Sequence, residues 1–174
     1  SMAATDMIAH TREVVAAVQK QAGELLHMSG TDFYYPQLTE LAARLSQIAP
    51  MPGPHRVHYG NSGAEAIEAA LKLARYHTKR QYIIAFHGAF HGRTMGALSL
   101  TCSKAQQRRR FSPLLPGVVH VPYPTLYRRP AGTEAEQYGL DTARYIEDWI
   151  FRTEVPPEEC AAIVVEAIQG EGGY

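Results

Sequence analysis

The segment Asn61-Ser62-Gly63-Ala64-Glu65 has the residue types that suit an anion at the start of a helix. The N–H groups of a first helical turn have no partner inside the helix, and the helix dipole favours negative charge there. Gly63 has no side chain to block a close approach, and Ser62 adds a hydroxyl donor. No lysine lies in this loop, which excludes a nucleotide P-loop. An ordinary helix capped by the pair Ser62 and Glu65 explains the same residues.

A second segment, His87-Gly88-Ala89-Phe90-His91-Gly92-Arg93, directly follows an apolar run. Its glycines allow tight turns, so Phe90 can stack on a planar ring and Arg93 can hold a carboxylate in a bidentate contact. His87 and His91 are four residues apart, but the glycines oppose a helix and no third metal ligand is evident. We therefore expect no metal here. A hydrogen-bonded loop histidine is the alternative for His91.

The third segment, residues 166–173, follows the last apolar run and reads Glu-Ala-Ile-Gln-Gly-Glu-Gly-Gly. A carboxylate, an amide and a second carboxylate at the end of a strand suit ligand orientation or an arginine partner. A polar exit turn explains the motif equally well.

The elements that must position these segments alternate between helical periodicity and short apolar runs. Predicted helices cover Thr11–Leu26, Pro36 to Pro50, Gly63–His77 and Thr142–Phe151. Predicted strands cover Tyr82–Phe86, Val118–Val121 and Ala161–Val165, the last one buried on both faces. Glu68 and Lys72 are spaced as a helical ion pair. This order predicts an α/β fold with a mainly parallel or mixed sheet flanked by helices, in which ligands gather at strand C-termini.

The composition narrows the class of protein. The chain has 174 residues, and 17 Lys+Arg balance 17 Asp+Glu, which argues against a nucleic-acid or membrane-surface protein. No apolar run reaches transmembrane length, and Cys102 and Cys160 are too far apart to suggest a disulfide framework or a zinc site. No linker is evident, so the sequence indicates one unit.

Taken together, the three segments resemble the class III aminotransferases, a pyridoxal-phosphate family that includes 4-aminobutyrate, ornithine and acetylornithine aminotransferases. The matching text is Asn-Ser-Gly-Ala-Glu-Ala at 61–66, Phe-His-Gly-Arg-Thr at 90–94 and Gln-Gly-Glu-Gly-Gly at 169–173. The likeness extends over nearly the whole chain from about Thr11. It implies part of the large domain of a fold-type I pyridoxal-phosphate enzyme.

The resemblance also implies roles by position. The cofactor phosphate would bind Ser62, Gly63 and Ala64. Phe90 would stack on the pyridine ring, His91 would support that stack, and Glu166 would lie near the cofactor. In the 4-aminobutyrate branch Arg93 would meet a substrate carboxylate. As in the ornithine and 4-aminobutyrate enzymes, Glu171 would pair with an arginine from the small C-terminal domain and gate between the two substrates.

Two residues that the family's chemistry requires match nothing in this chain. The Schiff-base lysine of the family and the aspartate on the pyridine nitrogen lie beyond Glu171, and Lys20, Lys72, Lys79 and Lys104 do not match that lysine. We therefore expect residues 1–174 to be a fragment of the cofactor-binding large domain. The family's N-terminal segment, its later large domain and its small C-terminal domain would be absent. The fragment would carry no catalytic residue and would be inactive alone.

For the parent protein, the resemblance implies transfer of an amino group to a keto acid through pyridoxal phosphate. Arg93 and Glu171 favour an ω-amino acid such as 4-aminobutyrate as the donor. A homodimer is expected, in the cytoplasm or in the mitochondrial matrix of a eukaryote. The predicted second helix and Phe33–Tyr35 could form the dimer interface, although plain core packing explains them as well. Two other functions stay open: a non-catalytic truncated module, and a pyridoxal-phosphate-dependent racemase or epimerase.

Overall fold

A computed structural model of the protein describes residues 11–171. The chain divides into two compact units, residues 1–58 and residues 59–174, where the sequence indicated one. Among the described residues no helix is both long enough and apolar enough to cross a membrane.

The first unit contains two helices, α1 (Arg12–Glu24) and α2 (Pro36–Ile48), which confirms both predictions. Pro36 occupies the first turn of α2, where its missing N–H has no intrahelical partner to lose. Neither helix has a buried residue. Phe33 and Tyr34 are also exposed, so plain core packing does not describe these two aromatics within this chain. A role in a dimer interface stays a prediction.

The second unit is built on a parallel sheet with strand order β2-β1-β3, where β1 is Tyr82–Phe86, β2 is Val118–Val121 and β3 is Cys160–Ile163. Ile84 of β1 aligns with Val119 of β2 and with Ile163 of β3. The apolar runs form strands because the central strand is covered on both faces. The predicted α/β class with a parallel sheet is confirmed.

Alternate residues of β1 face two apolar layers. Ile84 and Phe86 pack with Val121, Ile146 and Ile150 on one face. Ile83 and Ala85 pack with Leu71 and Leu100 on the other. Because both faces of β1 are filled, the C-terminal end of the strand and the loop that follows it are held on a rigid base.

The helices of this unit are α3 (Gly63–Thr78), α4 (Met95–Leu100), α5 (Ala105–Arg108) and α6 (Ala135–Tyr145). The last continues as a π-helical stretch (Ile146–Ile150) and one α turn (Phe151–Thr153). Short 3-10 turns cover Leu126–Arg128 and Pro157–Glu159. Helix α3 confirms the predicted third helix.

Two predicted elements need correction. The last helix begins at Ala135 rather than near Thr142, and the sequence pattern did not indicate its π-helical stretch. The third strand covers Cys160–Ile163, and it is not buried on both faces, because Ile163 is 48% exposed. Among the described strands β3 pairs only with β1, so its composition indicates a coverage that residues 11–171 do not supply.

Candidate active site at the carboxyl edge of the sheet

The first segment forms the N-terminus of α3. Ser62 is extended, and its Oγ accepts a hydrogen bond from Glu65 N at 3.2 Å. The carboxylate of Glu65 returns to Asn61, where Oε2 accepts from the backbone N at 2.6 Å and from Nδ2 at 3.1 Å. The predicted Ser62–Glu65 cap is therefore confirmed, with the return bond displaced by one residue from the usual capping box.

The first two N–H groups of α3 lie at an exposed end of the helix that a ligand can reach. The helical ladder starts with Ala66 N donating to Ser62 O at 3.1 Å, which leaves Gly63 N and Ala64 N without a partner inside the helix. A Cβ added at Gly63 would meet nothing within 4 Å. A helix of 16 residues thus presents two backbone donors and the Ser62 hydroxyl at one exposed end.

The second segment forms a loop of residues 87–94, here called the Phe90 loop. Gly88 and Gly92 have φ values of 83 and 137, which confirms that this segment is not helical. Gly88 N donates to Cys102 O at 3.0 Å, and Cys102 N donates to Ala89 O at 2.9 Å. These bonds hold the loop at the end of β1.

Gly92 brings the first two segments together. A Cβ on this residue would lie 2.8 Å from the Cβ of Ala64 and 3.0 Å from the Cβ of Ala97. Only a glycine permits so close an approach, and its φ also disfavours other residues. The Phe90 loop therefore packs directly on the first turn of α3.

The third segment joins the same site through Glu166. Its Oε2 accepts a hydrogen bond from Phe90 N at 3.2 Å. Arg93 is exposed, and its guanidinium carbon lies 5.9 Å from the centroid of the Phe90 ring. An aromatic face, a carboxylate and a guanidinium group are thus gathered at one end of β1.

The His91 imidazole has one buried ring nitrogen, Nε2, that lacks a hydrogen-bond partner among residues 11–171. The backbone N of the same residue donates to Thr101 Oγ1 at 2.9 Å. Burial lowers the pKa of His91, and the nearby charge of Glu166 opposes that effect in part. The predicted loop histidine is therefore hydrogen-bonded through its backbone N, whereas Nε2 of its ring is not.

Glu171 lies near the end of the described chain and forms an ion pair with Lys104, with Oε2 and Nζ 2.5 Å apart. The predicted arginine partner from a C-terminal domain stays a prediction. Gly172 and Gly173, the last residues of the third motif, lie outside the described residues.

Two polar residues that were not among the predicted cofactor- or substrate-binding residues hold this edge of the sheet. Gln169 is 6% exposed, and its Nε2 donates to His87 O at 2.8 Å. Tyr123 OH donates to the backbone oxygen of Glu166 at 3.2 Å. Gln169 is part of the third motif, but its partner is 82 positions away, so no local pattern could show the contact.

A third missed residue is Glu68. Its Oε1 accepts hydrogen bonds from Thr94 Oγ1 at 2.6 Å, Gly96 N at 2.9 Å and Ala97 N at 3.2 Å. The ion pair expected between Glu68 and Lys72 does not form, because the carboxylate caps α4 instead. Helical spacing indicates local partners only, and this partner is distant in sequence.

The edge of the sheet leaves room for a small molecule. A cavity of about 780 Å³ opens beside the start of the Phe90 loop, and its lining includes His87, Tyr123, Gln169 and Glu171. The N-terminus of α3 and the Phe90 side chain do not line it. Such concave sites at strand ends, lined by a few polar groups, are the usual place for ligands in α/β proteins. Within residues 11–171 no group of three or more His, Cys, Asp and Glu side chains is arranged to hold a metal ion.

Comparison with known proteins agrees with this geometry. A family model described as aminotransferase class-III matches residues 3–174. An isoleucine 2-epimerase from Lentilactobacillus buchneri is 40% identical over 95% of this chain and 37% of its own length. A probable 4-aminobutyrate aminotransferase from Bacillus subtilis (strain 168) is 41% identical over 93% of this chain and 37% of its own length.

The solved structures include an omega transaminase from Pseudomonas jessenii in complex with PMP. It superposes with a TM-score of 0.82 at 28% identity, over 94% of this chain and 37% of that one. The chain therefore spans little more than a third of the proteins that it matches.

Proposed function

Because the chain belongs to the class III aminotransferases, we propose that it forms the phosphate- and ring-binding part of a pyridoxal-phosphate-dependent transaminase. The observation that carries this proposal is the contact between two features of the site. The open N–H groups of Gly63 and Ala64 lie on the turn against which Gly92 packs the Phe90 loop. A ligand with a phosphate and an aromatic ring would find a partner for each.

The residues present fit pyridoxal phosphate. Ser62 Oγ, Gly63 N and Ala64 N, here called the phosphate cradle, would hold the dianion at the positive end of the α3 dipole. Phe90 would cover one face of the ring. Its backbone N donates to Glu166 Oε2 at 3.2 Å, and this bond holds the main chain from which the ring projects.

The cofactor, when bound, supplies an electron sink for a carbanion at the substrate carbon. The chain's own residues bind and orient. The pKa of His91 is lowered, so its imidazole is uncharged at neutral pH. It would therefore add no positive charge next to Phe90, the residue proposed to stack on the cofactor ring. The Phe90 loop excludes water from the ring face that it covers.

For the substrate, we propose an ω-amino acid such as 4-aminobutyrate with a keto acid as acceptor. Support comes from Arg93, whose exposed guanidinium group lies beside the Phe90 ring and can accept a carboxylate in bidentate fashion. The relative from Bacillus subtilis carries a 4-aminobutyrate name. We propose Glu171 as a second selector of substrate charge, with Lys104 as its partner here. The assembled enzyme would be a homodimer.

A racemase or epimerase is the second candidate, because the relative from Lentilactobacillus buchneri is named an isoleucine 2-epimerase. Such an enzyme removes and returns a proton at one carbon and needs no amino acceptor. An assay of the whole gene product with L-isoleucine or 4-aminobutyrate, with and without 2-oxoglutarate, separates the two. Turnover of 4-aminobutyrate that depends on 2-oxoglutarate supports the transaminase, and acceptor-independent epimerisation supports the rival.

We also propose that the 174-residue chain does not turn over substrate by itself. Of its four lysines, Lys20 and Lys72 lie on helices, Lys79 ends α3, and Lys104 is paired with Glu171. None of these four lysines is among the residues proposed to bind the cofactor ring. Transamination by the chain alone, lost on substitution of one of these lysines, would contradict this.

The phosphate cradle can be tested with the Gly63→Pro substitution. Proline suits the first helical position, and the extended Ser62 (φ −156, ψ 163) is compatible with a following proline. The helix should therefore persist while one N–H donor is lost. The probe is 4′-deoxypyridoxine 5′-phosphate, which has no aldehyde to react with surface lysines.

We expect the affinity of this probe to fall by about tenfold or more, which corresponds to one hydrogen bond to a charged group. The matched control is Ala135→Pro at the first position of α6, preceded by Glu134 at φ −66 and ψ 149. It should leave the affinity unchanged. Equal affinities for Gly63→Pro and the parent chain would contradict the cradle.

A further inference from the structure

Glu68 connects the two parts of the proposed site. We propose that this carboxylate is a positioning residue, which sets the spacing between the phosphate cradle and the Phe90 loop by clamping α4 onto α3. The proposal deepens the function proposed above and rests on it for its effect on ligands. The clamp itself is a matter of the chain's own contacts.

Helix α4 depends on Glu68 for its N-terminal cap. Thr94 precedes the helix but makes no side-chain bond to the helical N–H groups. The Oε1 atom of Glu68 serves as the cap instead of the Thr94 hydroxyl. It accepts from Gly96 N at 2.9 Å and from Ala97 N at 3.2 Å. A carboxylate at this end is favoured by hydrogen bonding and by the helix dipole. Thr94 Oγ1 donates to the same atom at 2.6 Å.

The absence of a side chain at residue 96 makes the clamp possible. A Cβ on Gly96 would lie 2.7 Å from the Cδ atom of Glu68 and closer still to one carboxylate oxygen. Gly96 is buried, so the carboxylate fills space that a larger residue would occupy. The short distance between α3 and α4 is thus encoded at both residues.

The Phe90 loop is attached to the far end of α4. Thr101 follows the helix, and its Oγ1 accepts from His91 N at 2.9 Å. Its single hydroxyl hydrogen is shared between Gly92 O at 3.1 Å and Ala97 O at 3.0 Å. The loop and α4 therefore form one body. Glu68 joins that body to α3, whose first turn carries the cradle.

Removal of the carboxylate leaves the packing of Gly92 on Ala64 and the apolar layer that contains Leu71 and Leu100. Neither supplies a directional bond between the loop and the first turn of α3. We expect the loop to shift relative to the cradle when Glu68 is lost. A ligand that contacts both parts should then bind more weakly. A ligand that contacts the cradle alone should not be affected.

The experiment compares Glu68→Ala, Glu68→Gln and the control Glu147→Ala, a carboxylate exposed in the π-helical stretch. Amide chemical shifts of Gly63 and Ala64 report titrations with inorganic phosphate and with 4′-deoxypyridoxine 5′-phosphate. Nuclear Overhauser contacts between the Ala64 methyl group and Gly92 report the clamp without any ligand.

For Glu68→Ala we expect the Ala64–Gly92 contact to weaken, and the affinity for the ring-bearing probe to fall by about tenfold. Affinity for inorganic phosphate should stay within about twofold, since the cradle is intact. Glu68→Gln keeps an acceptor oxygen, so it should recover part of the loss. Glu147→Ala should match the parent.

Each failure has its own signature. An Ala64–Gly92 contact that persists in Glu68→Ala overturns the clamp. Equal losses for both ligands overturn the positioning role and indicate general destabilisation. A parent chain that binds neither ligand, yet loses the contact in Glu68→Ala, overturns the proposed cofactor site and leaves the clamp standing.

Discussion

The N-termini of α3 and α4 are preceded by similar residues, but they differ in whether their first N–H groups are hydrogen-bonded within the protein. Each follows a hydroxyl residue in an extended conformation, Ser62 before α3 and Thr94 before α4. Ser62 caps its own helix locally and leaves Gly63 N and Ala64 N open. Thr94 does not cap its helix, and a carboxylate from α3 takes up the N–H groups of α4.

The difference shows that the free end of a helix is a property of its surroundings. Gly96 and Ala97 in the first turn of α4 are buried, so their N–H groups require an acceptor from the protein. Gly63 is exposed, so its N–H can donate to water or to a ligand and needs no acceptor from the protein. The N-terminus of α4, whose N–H groups are bonded to Glu68, is the end proposed to position the site. The N-terminus of α3, whose first N–H groups have no intrahelical partner, is the end proposed to bind the cofactor phosphate.

The largest effect should come from separating the two helix ends. In Gly92→Ala the new Cβ would collide with Ala64 and Ala97 at an unfavourable φ. We expect the free energy of unfolding to fall by about 3 kcal/mol. The control is Gly139→Ala in α6, where an added Cβ meets nothing within 4 Å. It should stabilise the chain by up to about 1 kcal/mol, measured by urea unfolding. Equal stability of both variants would break the comparison.

The next effect compares two carboxylates of α3. Glu68→Ala deprives buried N–H groups of α4 of their acceptor, and we expect a loss of about 2 kcal/mol. Glu65→Ala removes an exposed local contact to Asn61 and should cost less than about 1 kcal/mol. Chemical unfolding of both variants measures the difference. A larger loss for Glu65→Ala would show that the local cap outweighs the distant one.

A smaller effect is expected at the open end itself. Ser62→Ala removes the cap on Glu65 N and should destabilise the chain by about 1 kcal/mol. Thr94→Ser keeps a hydroxyl for Glu68 and should change stability little. Thermal unfolding at fixed pH measures both. No loss in Ser62→Ala would mean that water replaces the cap at no cost.

The smallest effect concerns pH, through His91 between the two ends and His120 on β2. Burial lowers the pKa of His91, opposed by Glu166. Burial also lowers the pKa of His120, with Arg108, His87 and His91 adding to the effect and the hydrogen bond to Leu100 O opposing it. These two histidines therefore take up protons near pH 6.5 in the unfolded chain, and only at lower pH in the folded chain.

Stability should consequently fall as the pH drops through 6.5 toward the lowered folded values. Both groups are only partly buried, so we expect less than about 1 kcal/mol per pH unit. Unfolding between pH 7.5 and 5.5 measures the slope. His91→Gln combined with His120→Gln should flatten it, and an unchanged slope would exclude these histidines as its source.

Sequence patterns predicted the parts of this site that depend on neighbours along the chain. The apolar run of β1, the start of α3 at Gly63 and the Ser62–Glu65 cap are local, and they form as expected. The Glu68 clamp spans 26 to 29 positions, so helical spacing pointed to Lys72 instead. Ile163 is apolar, but its burial depends on a neighbouring strand, which composition cannot supply.

The gathering of the three motifs could be anticipated only in outline. Parallel strands place their C-terminal ends at one edge, which predicted that the segments after β1 and β3 would meet. The contact of Gly92 with Ala64 and the bond from Phe90 N to Glu166 are details of three-dimensional packing. No spacing in the sequence distinguishes them from other pairings.

The exposure of Arg93 and Glu171 has a consequence for how such a chain can evolve. Both lie outside the two apolar layers, on segments that follow strands rather than within them. Substitutions there should leave the folding free energy almost unchanged. Under the proposed roles of Arg93 and Glu171 in substrate selection, single mutations at these two positions should change substrate preference while the cradle and the clamp are retained.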